Sequence, residues 1–203
     1  MEQKTYDRQT AKFLAVIGEN MPVLTSDVMQ SWIENPGAVQ TALDRAFRPP
    51  RQFLRPAGEL TLPKSTRSSS LQTRKGLWVS SEFDRLVGSG KATKLQETKI
   101  RSFDLIEPAN DAEIQGELPK DHAFKATEIR GVLEALIGLQ PDGEDGFLLT
   151  NGYWNLFYVV GADGGVCVVH VGWHAYDRRW VVDAGPLDDA RWSEGRRVLS
   201  ATA

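Results

Sequence analysis

The chain has 203 residues, 41% of them hydrophobic and 25% charged, with a formal net charge of −3. This composition excludes wholesale disorder, and the length allows one sizeable core or two small ones. A single cysteine, Cys167, excludes an intramolecular disulfide framework and fits a reducing compartment.

The apolar run FLAVIG, between Lys12 and Glu19, is too short for a signal-peptide core or a membrane span, so a cytoplasmic location without membrane contact is expected. A weak helix is predicted over roughly residues 5 to 17. Ser26 caps a short helix whose Val28, Met29, Trp32 and Ile33 share a face. Asn35 and Pro36 then supply the cap and first turn of a second helix, with Val39, Ala42, Leu43, Ala46 and Phe47 on one side. Residues 1–48 therefore read as a helical unit with a helix–turn–helix outline.

From Pro49 the composition changes. Pro49, Pro50, Pro56 and Pro63 interrupt any helix, and Ser68, Ser69 and Ser70 add a flexible run. Residues 49–75 are expected to be an extended basic connector. Between Arg45 and Lys75 eight basic residues face Glu59 alone, a net +7, which leaves −10 on the rest of the chain. That asymmetry fits either a polyanion contact or pairing with the acidic remainder.

Residues 76–203 read as an α+β unit. It opens with GLWV and the capped turn SSEFDRLV, followed by a strand carrying Arg101, Phe103 and Leu105 on one side. Asn110 and Glu113 have capping-box spacing. The strongest helical stripe is Ile129, Val132, Leu133, Leu136 and Ile137 in TEIRGVLEALIGLQ, stopped by Pro141, Asp142 and Gly143. Three strands follow, 154–160, 166–173 and 179–183, joined by GADGG and HAYDR. The fold class expected is α+β, with one helix packed on a three-stranded antiparallel meander behind the helical unit and the connector.

The stretch VCVVHVGWHAYDRRWVV concentrates the reactive side chains. On a strand, successive side chains alternate faces, so Cys167 and His170 point apart and cannot form a catalytic pair. His170 and His174 lie roughly 13 Å apart along an extended strand and do not converge on a metal without help from His122 or distant carboxylates. No catalytic residue, metal site or cofactor is expected. LVGSGKAT departs from a phosphate-binding loop, with Arg85 where the first glycine belongs and Ala92 in place of the hydroxyl residue. Trp154, Trp173, Trp180 and Trp192 crowd the last fifty residues, and Trp173 and Trp180 can stack across the HAYDR turn. Such a pair is either a small aromatic core or an exposed binding platform.

Four segments together, IGENMPVLTSDVMQSWIENP, SFDL…DAEI…LPKDHAF, NGYWNLFYV and RWSEGRRVLSATA, resemble a family of uncharacterised proteins of uncultured bacteria. The resemblance implies a bacterial protein of this organisation and carries no activity, cofactor or site residue. The functional expectation is a non-enzymatic cytoplasmic interaction module for an unidentified protein partner, touching it through Trp173 and Trp180 and the basic connector. The alternative is DNA or RNA binding through the N-terminal helical pair and the basic connector, with Arg45, Arg48, Arg51 and Arg55 on phosphates and any sequence selectivity resting on Gln40 and Arg45.

Overall fold

A computed structural model describes residues 51–66, 68–69, 71–88 and 94–202, and before them 25–35 and positions 11, 12, 15, 16, 19 and 37. The chain divides into two compact units, Met1–Arg51 and Gln52–Ala203. In the first unit α1 spans Ser26–Glu34, with Thr25 rather than Ser26 at the N-cap position. Most of the second helix of the expected pair lies outside the described residues, as do Gln40, Arg45 and Arg48.

The second unit is built on one mixed sheet of eight strands: β1 Leu54–Leu62, β2 Leu77–Val79, β3 Thr98–Leu105, β4 Phe124–Lys125, β5 Asn155–Val160, β6 Val166–His174, β7 Arg179–Pro186 and β8 Arg197–Thr202. Their order is β1-β3-β8-β5-β6-β7-β2, with β4 beside β5. Among the described residues three helices accompany it: α2 Ser81–Val87, α3 Asp111–Glu117 and α4 Ala126–Gly138.

This corrects the expected three-stranded meander with one helix. The antiparallel run β5-β6-β7 exists, but it is the middle of a wider sheet. The parallel pairings of β5 with β8 and of β2 with β7 join segments distant in sequence, which local patterning cannot reveal.

The extended connector is corrected too, because its first half is β1. Pro56 is tolerated there because β1 is an edge strand, and a bulge between Pro56 and Gly58 absorbs the irregularity. Part of the basic charge is spent within the unit: Arg55 pairs with Asp104 at 3.6 Å and Arg74 with Glu134 at 3.3 Å.

Both faces of the sheet are covered. The α4 stripe Ile129, Val132, Leu133 and Leu136 is fully buried in the larger core, with Phe157, Val169, Val171 and Trp180 from the strands. Full burial of each such aliphatic side chain contributes about 1.5–3 kcal/mol. On the other face Ile114 of α3 packs with Leu54, Leu105, Leu156, Tyr158, Val168 and Val198. The capping box of Asn110 and Glu113 fixes the start of α3: the Asn110 side chain accepts from the Glu113 N–H at 2.9 Å, and the Glu113 carboxylate accepts from the Asn110 N–H at 3.0 Å. The smaller core is where the site lies.

Candidate functional site

The alternation of β6 decides which side chains meet. Cys167, Val169, Val171 and Trp173 enter the larger core, whereas Val168 enters the smaller one and His170 stands on its side of the sheet. His170 lies half-buried between two indoles. Its ring centroid is 5.3 Å from Trp154, nearly edge-on, and 5.9 Å from Trp192. Trp154 reaches this position because residue 172 is glycine: a Cβ there would come within 2.8 Å of the indole ring. Trp192 carries Arg196 above its face at 5.2 Å, a cation–π geometry. Tyr153, 43% exposed, borders the same surface and lies against Gly195.

Beneath the indoles sits Asp111, the first residue of α3 and only 2% exposed. Its Oδ1 accepts the Tyr158 hydroxyl at 2.9 Å and the Trp192 indole N–H at 2.8 Å. Its Oδ2 accepts the Asp188 backbone N–H at 3.2 Å. A carboxylate at a helix N-terminus with three donors is well satisfied, and here it clamps the segment after β7 onto the sheet. Burial, then the charge and hydrogen bond of Asp111, push the Tyr158 hydroxyl far above its ordinary pKa, so it remains a donor.

Asp183 is the cross-strand neighbour of His170 on β7. Burial lowers the His170 pKa, and this outweighs the raising influence of Asp183 and Asp111. The imidazole is therefore neutral at neutral pH. Its Nδ1 is buried and has no hydrogen-bond partner among the described residues. Together these groups make a partly open aromatic surface with a neutral imidazole at its centre and one stacked guanidinium. Such a surface suits binding: flat apolar area with few rotatable bonds, edged by polar groups.

It suits catalysis less. The carboxylate oxygens of Asp111 are occupied by structural donors, and Cys167 is buried on the opposite face with its thiol pKa raised by desolvation. The three histidines do not share a polar partner among the described residues. His122 contacts the Pro119 carbonyl at 2.8 Å, and the His174 Nδ1 lies 3.7 Å from Asp177. The Trp154 ring approaches both His170 and His174. Among the described residues no group of three or more His, Cys, Asp or Glu side chains is placed to hold a metal ion.

Trp173 and Trp180 do pair across β6 and β7, with centroids 5.6 Å apart. They are 8% and 0% exposed, Trp180 donates its indole N–H to the Gln140 carbonyl at 2.8 Å, and the Gly143 backbone lies against Trp173. The expected contact platform is thus corrected to core: neither indole offers a face to a partner. Arg51 is exposed, and Arg55 is exposed but ion-paired with Asp104. In LVGSGKAT, residues 89–93 lie outside the described residues. The site residues that sequence reasoning missed are Trp154, Trp192, Arg196 and Asp111. The crowding of tryptophans pointed to this end of the chain, but only the sheet order sorts exposed indoles from buried ones.

No family model, curated protein or solved structure matches the chain. Among the described residues no helix is long and apolar enough to cross a membrane.

Proposed function

We propose that this chain is a non-enzymatic cytoplasmic interaction module that binds a protein partner through the surface formed by Tyr153, Trp154, His170, Trp192 and Arg196. The observation that carries this reading is the half-buried His170 held between two partly exposed indoles, with the exposed Tyr153 and the stacked Arg196 beside them. Aromatic and arginine side chains held over the middle strands of a rigid sheet supply contact area at low entropic cost. Nucleic-acid binding has less support, because Arg55 and Arg74 are engaged with Asp104 and Glu134. The test is recovery of a partner from native lysate, with and without nuclease, by the wild-type chain and two variants. A protein retained after nuclease, lost with Tyr153→Ser/Arg196→Glu and kept with Arg51→Ala/Arg55→Ala supports the proposal. Recovery of nucleic acid that depends on Arg51 and Arg55 would replace it with the nucleic-acid alternative.

A further inference from the structure

A second surface lies at the edge of the sheet. A sheet edge presents unpaired N–H and C=O groups, and folded chains usually block them. Here most of the edge is blocked by side chains. The Glu117 carboxylate accepts the N–H groups of Phe53 and Leu54 at 2.7 and 2.9 Å, and the Gln52 amide donates to the Leu54 carbonyl at 3.1 Å. Pro56 brings no N–H, and the bulge interrupts regular pairing after it. On the opposite edge the Thr73 hydroxyl accepts from the Val79 N–H at 2.9 Å and donates to the Val79 carbonyl at 3.1 Å.

The stretch Glu59–Leu62 differs. It pairs in register with β3 from Thr98 to Arg101, and among the described residues no side chain bonds its main chain. In an antiparallel ladder alternate residues turn both main-chain groups outward, so this stretch offers a short open template. It is flanked by two depressions. One of about 500 Å³ is lined by Leu60, Leu62, Pro63, Leu95, Ala135 and Leu139, and Leu139 is 60% exposed. The other, of about 370 Å³, surrounds the bulge at Pro56, Ala57 and Gly58 beside Phe103.

The charge around this edge is one-sided. Glu59 is shared by Lys99 at 2.8 Å and Arg101 at 2.6 Å, and Lys64 lies beyond it at the rim of the larger depression. Three cations against one carboxylate leave a surplus of two positive charges. Two copies of this edge would bring that surplus face to face, which disfavours self-pairing and favours an acidic partner.

We infer that β1 accepts an extended segment of a partner protein as a ninth strand, antiparallel or parallel to Glu59–Leu62. The segment places aliphatic side chains in the two depressions and acidic residues against Lys64, Lys99 and Arg101. Main-chain pairing supplies affinity in this mode, while the depressions and the charge supply selectivity.

The probe is the synthetic peptide acetyl-Glu-Val-Thr-Val-Thr-Val-Glu-amide, fluorescently labelled. It is compared with a version ending in lysines and with one N-methylated at its central residues. At low salt the acidic peptide is expected to bind at least about tenfold more tightly than either control. It is also expected to slow amide exchange within Glu59–Leu62 by about tenfold or more. Leu139→Glu should weaken binding by a similar factor of about ten through charge and lost apolar contact, whereas Tyr176→Ser at the fully exposed β6–β7 turn should leave it unchanged. Lack of binding, equal binding of the lysine or N-methylated peptide, or unaltered exchange at Glu59–Leu62 would overturn the inference. A concentration-dependent dimer that protects the same amides without peptide would overturn it in favour of a second copy of the chain.

Discussion

Removing the Asp111 carboxylate is the most informative single perturbation of the site. In Asp111→Ala the Tyr158 hydroxyl, the Trp192 indole N–H and the Asp188 N–H lose their acceptor together. Tyr158 is fully buried, so its hydroxyl cannot turn to bulk water. Each buried donor left unsatisfied costs about 1–3 kcal/mol. Trp192 is only partly buried and the Asp188 segment is near the surface, so those two relax more readily. The expected loss is therefore about 2–5 kcal/mol, dominated by Tyr158. Urea unfolding followed by far-ultraviolet circular dichroism measures it without interference from altered indole emission. Tyr158→Phe alone should cost less, about 1–2 kcal/mol, because Asp111 keeps its other two donors. The double variant should then be less destabilised than the sum of the two, with a coupling of about 0.5–3 kcal/mol. Additive losses, or an Asp111→Ala loss below 1 kcal/mol, would refute the claim that this carboxylate clamps the segment to the sheet.

The depressed His170 pKa makes a signed prediction. The unfolded chain takes up a proton near pH 6.5 and the folded chain only at lower pH, so the contribution is complete above pH 6.5 and is lost as pH falls through the folded pKa. His170→Gln should flatten that part of the stability–pH curve, and the imidazole should titrate below 6.5 by NMR. Gly172→Ala should push Trp154 off its seat at a cost of about 1–3 kcal/mol, read as a shift in indole emission with an intact far-ultraviolet spectrum. A chain beginning at Gln52 should unfold in one cooperative transition, because every described member of both cores falls within Gln52–Ala203.

What could be read in advance was local. The strict alternation of residues 166–174 separates Cys167 from His170, and the stripe Ile129–Ile137 buries one face of α4. The Asn110–Glu113 capping box is also visible in four letters. What could not be read was non-local. β1 was concealed by Pro56 and by a charge pattern that resembles a solvated linker, since its exposed edge position relaxes the usual apolar alternation. The pairing of β8 with both β3 and β5 depends on segments roughly forty to a hundred residues apart, and no local period encodes it. The role of Asp111 was hidden for the same reason: as the residue after an N-cap it looks like an ordinary first-turn acid, and only the arrival of Tyr158 and Trp192 turns it inward. The pairing of Trp173 with Trp180 is legible in the sequence but its burial is not, because cross-strand pairing does not say which face α4 and the Gln140–Gly143 turn will cover.

The central claim, that the Trp154–His170–Trp192 surface is the contact face, is tested most directly by photo-crosslinking in native lysate. A photoreactive phenylalanine analogue at position 153 borders that surface, and the same group at position 125, on β4, serves as the comparison. The account predicts one dominant protein adduct from position 153 that resists nuclease, disappears with Arg196→Glu and is missing from position 125. Equal adducts from the two positions, or an adduct from position 153 indifferent to Arg196→Glu, would contradict it.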